Sequence, residues 1–200
     1  NLENKSIPPQ NTIAALTLMN KATGLEGLVG GQEKDLKGTK RNPNYLEKFY
    51  AQKSGGLYAL AASMGAVLYN ADKKEIKALT NYGKNLGIAY QFMDDVLDVI
   101  GDQKEIGKST NMDKNKLTSV NLFGVSGAVN EAKKIRQKAI DSLSLFGEKA
   151  DTLRYLSKDI VKNPENKPNK LNLKNPQKIN TPYVSTDIWR HLFGSLMPYW

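Results

Sequence analysis

Apolar residues recur at helical spacing from residue 11 onwards. Asn11 stands where an N-cap would, before a run whose apolar members share one helical face: Ile13, Leu16, Met19 and Leu28. The pattern predicts a first helix that extends to a turn at residues 38–44, where the sequence is GTKRNPN. Its glycines would let a neighbouring helix approach closely, and they are Gly27, Gly30 and Gly31.

The same periodicity continues through four further segments. It predicts a second helix over residues 45–69, a third over 71–100, and two more over 120–146 and 148–161. Residues 101–116 are polar and contain glycine, so we expect a loop there. No alternating run is long enough for a sheet. The predicted fold class is therefore all-α, a packed bundle of long helices.

The pattern changes after the fifth predicted helix, which divides the chain into three parts. Residues 1–162 form the helical body, and residues 163–182 are rich in Pro and Asn, which is typical of a linker. Residues 183–200 contain IWRHLFGSLMPYW, an amphipathic segment whose Trp and Tyr residues favour membrane interfaces. This segment could contact a membrane, or it could dock on the bundle or on a second subunit.

Composition restricts the chemistry that this chain can perform. The 200 residues include no Cys and a single His, His191, so disulfides, thiolate nucleophiles and Cys or His-rich metal sites are excluded. Acid–base chemistry would have to use carboxylates, Lys, Tyr or the substrate. The net charge of +9 favours anionic ligands. We expect no nucleic acid partner, because the basic residues are interspersed with acidic ones and no binding motif occurs.

The hydropathy of the sequence predicts neither a membrane-spanning nor a secreted protein. The first ten residues contain no apolar signal region, and the longest charge-free apolar stretch, residues 57–69, is too short for a bilayer span of about 20 residues. These features predict a cytoplasmic protein.

The densest polar chemistry lies near the end of the third predicted helix, in the sequence QFMDDVLD at 91–98. Asp94 and Asp98 are four residues apart and share a helical face with Gln91, whereas Asp95 sits about 100° round the helix. Like charges at this spacing, near the C-terminal end of a helix, are unfavourable. They indicate a bound cation, and oxygen ligands on a rigid helix suit Mg²⁺. The alternative is an acidic helix end that faces solvent.

Lysines and small residues accompany this cluster elsewhere in the sequence. Lys53, Ser54 and Gly55 lie inside the second predicted helix, and Gln32 and Asp35 lie at the end of the first. The loop that follows the cluster contributes Gly107, Lys108, Asp113, Lys116 and Thr118. Carboxylates for a metal, lysines for phosphate and small residues for close approach together describe a metal–diphosphate site.

At these residues the chain resembles the trans-isoprenyl diphosphate synthases of the farnesyl and geranylgeranyl type. The shared motifs, in family order, are GGQ..D at 30–35, KSG at 53–55, GIAYQFMDDVLDVIGD at 87–102 and GK…D..K.T at 107–118. The resemblance covers roughly residues 11–162. It implies the isoprenoid synthase fold, a homodimer, and Mg²⁺, with Mn²⁺ as an alternative. It also implies head-to-tail condensation of isopentenyl diphosphate with an allylic diphosphate.

The resemblance also implies roles for individual residues. Asp94 and Asp98 would hold Mg²⁺, and Asp95 would support them as part of the metal site. Lys53 and Lys108 would contact the allylic diphosphate. Gln91 would lie near the reacting cation or the diphosphate, as would Gln32, and Lys116 would bind substrate. Asp35, Asp102 and Asp113 match family positions with less defined roles; Asp35 and Asp102 could instead cap helices, and Lys116 could be a surface charge.

Several family features are missing from this sequence. It lacks the first aspartate-rich motif with its arginine pair and the upstream GGKR-like segment, and Ser119-Val120 stands where the family commonly has Tyr-Pro. We therefore expect a fragment, the C-terminal half of the catalytic domain, that is inactive alone. The alternatives are a non-catalytic regulatory subunit of a prenyl diphosphate synthase or a class I terpene cyclase. The Asn/Ser/Glu metal triad that cyclases usually carry is absent, which disfavours the latter.

Overall fold

Helices account for all of the regular structure in residues 7–37, 42–100 and 117–160, which are the residues that this computed structural model describes. The α-helices are α1 (Pro9–Thr23), α2 (Leu28–Lys37), α3 (Pro43–Tyr50), α4 (Gly56–Leu68), α5 (Lys73–Ile100), α6 (Ser119–Asp141) and α7 (Asp151–Ile160). A π-helical turn, Ala51–Gly55, joins α3 to α4, and a 3₁₀ helix, Ser144–Ala150, precedes α7. The predicted all-α fold class is confirmed. The predicted loop at 101–116, linker at 163–182 and amphipathic segment at 183–200 lie outside the described residues.

The predicted first helix is wrong in its extent and its cap. The chain forms two helices, α1 and α2, separated by a turn that starts at Gly24. Helix α1 begins at Pro9, because proline presets the backbone for the first helical turn and needs no hydrogen-bond acceptor for its nitrogen. Asn11 therefore lies inside the helix and is not its cap. Its side-chain amide donates to the Leu68 carbonyl oxygen at 3.0 Å, which ties α1 to the end of α4.

The apolar face predicted for the first helix is not buried in this chain. Ile13, Leu16 and Met19 are 64%, 47% and 42% exposed, and Ala15 is the buried residue of α1. Helix α1 thus packs on α4 through the side that carries a small residue. The periodicity identified the helix correctly, but the face with the larger side chains is not the one that contacts the described part of the bundle.

The π-helical turn interrupts the helix predicted over residues 45–69. Backbone angles on both sides of the turn stay right-handed helical, so α3, the turn and α4 follow one another without a break. A π turn adds a residue to a helical turn and re-aims the side chains beyond it. Gly31 allows α2 to reach this turn, because a Cβ atom there would lie 2.7 Å from the Lys53 Cα atom. The predicted close approach at this glycine is confirmed.

Helix α5 runs through the centre of the bundle, over nearly the range predicted for it. Its C-terminal half packs on α3 and α6 in a core that includes Leu46, Phe49, Tyr50, Ile88, Ala89, Phe92, Met93, Val96, Leu117, Ala128, Ala132 and Ile135. Its N-terminal half contributes Tyr82 and Leu86 to a second cluster, which also contains Ala139, Leu143 and Ala150. None of the helices described here is long and apolar enough to cross a membrane.

The last two predicted helices form three elements in the structure. Helix α6 begins after Thr118, whose hydroxyl accepts a hydrogen bond from the Asn121 amide at 3.1 Å, as an N-cap does. It contains a kink at Gly124, where φ is +67°, and ends at Asp141, earlier than the predicted residue 146. The 3₁₀ helix fills the interval before α7. Its Gly147 has a φ of +55°, a conformation that favours glycine and interrupts a regular helix.

The glycine contact between α5 and the π turn gives a test of this packing. A Cβ atom at residue 87 would lie 2.9 Å from the Gly55 Cα atom and 3.0 Å from the Ser54 carbonyl oxygen. We expect Gly87→Ala to lower the free energy of unfolding by about 1–3 kcal/mol, measured by urea denaturation. Gly65→Ala is the matched control, because nothing lies within 4 Å of its Cβ position in α4. That variant should gain up to about 1 kcal/mol from helix propensity. Equal stability of the two variants would contradict the packing.

Candidate functional site

The acidic cluster lies on the last turns of α5. Asp94 is partly buried, and Asp98, one turn later, is exposed. Burial, together with the nearby Asp98 and Asp95 carboxylates, raises the pKa of Asp94 to about 6. The Lys53 ammonium and a hydrogen bond from Gln91 oppose this rise. Asp94 therefore carries a negative charge at neutral pH in surroundings that disfavour it.

Two polar side chains, Gln91 on α5 itself and Ser54 on the neighbouring π turn, fix the surroundings of Asp94. The Ser54 hydroxyl, on the π turn, donates to the Gln91 amide oxygen at 2.7 Å. This contact orients the Gln91 amide so that its nitrogen donates to the Asp94 carboxylate at 3.3 Å. The predicted residues Gln91 and Asp94 are thus in contact, and Ser54 joins the π turn to them.

Lys53 lies next to Ser54 on the π turn and forms a salt bridge with Asp35 of α2. Its ammonium nitrogen is 2.8 Å from an Asp35 carboxylate oxygen, and the two side chains are only 11% and 22% exposed. The same nitrogen lies 5.9 Å from the centroid of the Phe49 ring. Lys53 is therefore paired with the Asp35 carboxylate, and its positive charge also acts on Asp94. Asp35 binds this lysine and is not a helix cap.

Asp95 belongs to a different environment from Asp94 and Asp98. It is 8% exposed, and one of its carboxylate oxygens accepts hydrogen bonds from the Tyr50 hydroxyl, from the Ser119 amide at 2.6 Å and from the Ser119 hydroxyl at 2.9 Å. Burial raises the pKa of Asp95, and these hydrogen bonds oppose the rise. The structure directs this carboxylate into the junction of α3, α5 and α6. We call Tyr50, Asp95 and Ser119 the Asp95 network.

Of the predicted site residues that remain, Gln32 lies near the π turn and the others lie outside the described residues. Gln32 follows Gly31 on the part of α2 that touches the π turn. Its amide oxygen is buried and accepts no hydrogen bond from the described part of the chain. Five predicted residues lie outside the described ranges, namely Asp102, Gly107, Lys108, Asp113 and Lys116.

Sequence reasoning missed Tyr50 and treated Ser119 as a departure from the family pattern. Tyr50 has the spacing of a core aromatic residue, and it does pack in the core, with its ring perpendicular to that of Phe92. The available signal was Asp95 itself. A carboxylate on the inner face of an amphipathic helix requires donors, and a tyrosine hydroxyl and a helix N-terminus are two common ones.

The arrangement suits a cation that keeps part of its ligand shell for another molecule. Within residues 7–37, 42–100 and 117–160, no three Asp, Glu or His side chains converge as a metal cage. Mg²⁺ commonly uses one or two protein carboxylates and completes its shell with water and phosphate oxygens. A partly buried Asp94 with Asp98 one turn away fits such a cation, because a positive charge would relieve the repulsion between them.

Comparison with known proteins identifies the family of this chain. The family described as Polyprenyl synthetase matches residues 3–158. Geranylgeranyl pyrophosphate synthase 11, chloroplastic, of Arabidopsis thaliana is 34% identical over 168 residues, which are 80% of this chain and 47% of that protein. A dimethylallyltranstransferase of Fischerella ambigua (strain UTEX 1903) is 32% identical over 165 residues, 80% of this chain and 48% of its own length.

Solved structures share the fold. The geranylgeranyl pyrophosphate synthetase of Pyrococcus horikoshii Ot3 aligns with a TM-score of 0.67 and 27% identity, over 78% of this chain and 61% of that one. The geranyltransferase of Helicobacter pylori, complexed with magnesium and isoprenyl diphosphate, aligns with a TM-score of 0.65 and 25% identity, over 80% and 54%. The chain spans about half the length of the curated relatives it matches. On the match over residues 3–158 and the shared helical fold, this chain belongs to the polyprenyl synthetase family.

Proposed function

We propose that this chain contributes to a short-chain trans-prenyltransferase, which condenses isopentenyl diphosphate with an allylic diphosphate. The observation that carries the proposal is the contact set around Asp94 in a member of this family. The partly buried Asp94 with the exposed Asp98 one turn later, a lysine and an oriented amide meet at the junction of the π turn and α5. Such a set binds a metal ion together with a diphosphate.

Asp94 and Asp98 are the residues that would hold Mg²⁺ or Mn²⁺. When bound, the ion neutralises charge that develops on the leaving diphosphate. The raised pKa of Asp94 supports this assignment, because a carboxylate destabilised by burial and by a like charge gains most from a cation. The magnesium and isoprenyl diphosphate in the name of the Helicobacter pylori relative support the same chemistry.

Lys53 and Gln91 would act on the substrate. Lys53, held by Asp35 at the edge of the site, would donate to phosphate oxygens and stabilise the leaving group. Gln91, whose amide is fixed by Ser54, would orient the allylic group and stabilise positive charge with its carbonyl dipole. Gln32 would take part through its buried amide oxygen, which has acceptor capacity to spare. Lys108 and Lys116 would add phosphate contacts.

In the proposed reaction, the allylic carbon–oxygen bond breaks heterolytically and the diphosphate leaves with the bonding electrons. The double bond of isopentenyl diphosphate attacks the allylic carbon, which forms a new carbon–carbon bond. The cation that results loses a proton to the departed diphosphate. This route requires no enzyme nucleophile and no histidine, which agrees with a sequence that has no Cys and only His191.

The half-length match bears on how the chain would act. Because it spans about half of its curated relatives, we propose that it is active only together with the remaining part of the domain. A regulatory subunit of a synthase would share this dependence. Homodimer formation, membrane contact by residues 183–200 and the cytoplasmic location stay predictions; the name of the Arabidopsis relative assigns that protein to the chloroplast.

The first test of this proposal is the activity of the chain by itself. We expect no turnover from the purified 200 residues when they are assayed with Mg²⁺ and both diphosphates, since the chain spans about half the length of its curated relatives. Product formation, followed with radiolabelled isopentenyl diphosphate, would overturn this expectation.

Asp94→Ala tests the metal assignment in a complete domain. The chain is joined to the part of a relative that it does not span, and turnover is measured with saturating Mg²⁺. We expect a loss of about 100-fold or more, because a carboxylate that holds the ion is removed. Asp141→Ala, an exposed carboxylate at the end of α6, is the matched control and should leave turnover within about twofold. An unchanged rate for Asp94→Ala would contradict the assignment of Asp94 to the metal site.

The raised pKa of Asp94 predicts a pH-dependent stability difference in metal-free protein. Between about pH 4 and pH 6 the unfolded chain ionises this carboxyl while the folded chain resists, so the wild type loses stability as pH rises through this window. Asp94→Asn lacks this loss and should be more stable by about 2–3 kcal/mol above pH 6 and nearly equal near pH 4. Urea denaturation at both pH values measures it. A constant difference across pH would contradict the assignment.

A further inference from the structure

The Asp95 network joins three helices through one carboxylate oxygen. Tyr50 comes from the last residue of α3, Asp95 from α5 and Ser119 from the first residue of α6. The Ser119 amide also lies 3.0 Å from the Tyr50 hydroxyl oxygen, so the three groups are mutually in contact. Tyr50 and Ser119 are 1% and 0% exposed. A carboxylate so far from water is tolerated only with its donors in place.

The network reaches the candidate site along α5. The second oxygen of Asp95 lies 3.5 Å from the Gln91 amide nitrogen, which also donates to Asp94 at 3.3 Å. Asp94 is the next residue on the chain and projects about 100° away from Asp95. Holding Asp95 therefore fixes the rotation of α5 about its axis, and that rotation decides where Asp94 and Asp98 point.

The network also reaches the site along α3. Tyr50 is the residue immediately before the π turn that carries Lys53 and Ser54. Its hydroxyl pins the start of that turn to Asp95, while Gly87 packs against Gly55 at the end of the turn. The same buried contact thus positions both Lys53 on the π turn and the Asp94–Asp98 pair on α5.

At α6, the network supplies a hydrogen-bond acceptor to the N-terminus of the helix. The Ser119 amide is one of the donors left without an intrahelical acceptor at the start of α6, and Asp95 accepts from it. The helix dipole adds to the stabilisation of the carboxylate. In the sequence, Ser119 follows the predicted phosphate-binding residue Lys116 by three positions.

We propose that Tyr50 and Ser119 are positioning residues, which act through Asp95 to set the distance between Lys53 on the π turn and the Asp94–Asp98 pair on α5. Their hydrogen-bonding groups are turned to Asp95 in the buried core, so they would act through Asp95 and are not catalytic residues. The proposal rests on the proposed function, because it concerns the geometry of that same site. Ser119 stands where the resemblance to the family leads us to expect tyrosine, and in this chain both its amide and its hydroxyl donate to Asp95.

The chain offers a matched control for such a test. Tyr82 and Ser157 form a second buried pair, 2% and 0% exposed, in which the Tyr82 hydroxyl donates to the Leu153 carbonyl oxygen at 2.8 Å. The Ser157 hydroxyl lies 3.3 Å from the Tyr82 oxygen. Tyr82 is twelve residues before Asp94, or about 18 Å along α5. Removing a hydroxyl here costs a similar buried hydrogen bond without any contact to the site.

The experiment compares Tyr50→Phe and Ser119→Ala with Tyr82→Phe and Ser157→Ala in the 200-residue chain. Calorimetry measures the binding of Mn²⁺ in the presence of inorganic diphosphate, and thermal unfolding without metal measures stability. We expect all four variants to unfold a few degrees below the wild type. Tyr50→Phe should weaken Mn²⁺ affinity about 10-fold or more, as loss of an outer contact to a metal site typically does, whereas Tyr82→Phe and Ser157→Ala should bind within about twofold of wild type.

Ser119→Ala keeps the backbone donor and gives a milder second variant, expected to weaken affinity several-fold, in case Tyr50→Phe does not fold. If both pairs lose affinity equally, the effect is general destabilisation and the proposal is wrong. If Tyr50→Phe and Ser119→Ala bind Mn²⁺ as tightly as wild type, the proposal is also wrong, while the proposed function stands. A wild-type chain that binds no Mn²⁺ with diphosphate would instead contradict the proposed metal site itself.

Discussion

The cost of burying a carboxylate organises the centre of this molecule. Asp95 lies in a core of aromatic and aliphatic side chains, where an ionised group without donors would cost several kcal/mol. Its donors come from two other helices, and each has to arrive at hydrogen-bonding distance of the same oxygen. The requirement therefore acts as a geometric constraint on α3, α5 and α6 together. Apolar packing holds these helices in contact, but it tolerates small slides and rotations that a hydrogen-bonded carboxylate does not.

Asp94 and Asp95 show how one turn of a helix can carry two opposite solutions to the same problem. Asp95 faces the core and is satisfied by protein donors, and burial still raises its pKa. Asp94 accepts a long hydrogen bond from Gln91. The Lys53 ammonium attracts it, while the Asp98 carboxylate repels it. The Asp95 carboxylate thus finds its hydrogen-bond donors within the protein. The Asp94 carboxylate retains unsatisfied negative potential, which is the property expected of a group that binds a cation.

The backbone makes this division possible through close approaches that larger residues would prevent. Gly31 brings α2 against the π turn, which places Asp35 beside Lys53, and Gly87 brings α5 against the same turn, which places Gln91 beside Ser54. The π turn itself changes the direction of Lys53 and Ser54 relative to a regular α-helix. A site built from three separate segments is thus assembled at a single turn, without a loop of the described chain entering it.

The amino-acid pattern was sufficient to predict the helical class, the extent of the central helix, the close approach at Gly31 and the pairing of Asp94 with Gln91. The helical class, the extent of α5 and the pairing of Asp94 with Gln91 depend on residues near one another in the chain, where the 3.6-residue period fixes which side chains share a face. The close approach at Gly31 was predictable because glycine has no side chain to hold another element away, although its partner Lys53 is distant in the sequence. It did not determine which face of α1 is buried, where the first helix breaks, or that the second contains a π turn, because these depend on what packs against each segment. The roles of Tyr50 and Ser119 were likewise decided by tertiary structure. They lie 45 and 24 residues from Asp95, and only the folding of three helices onto one another brings their donors to a single oxygen.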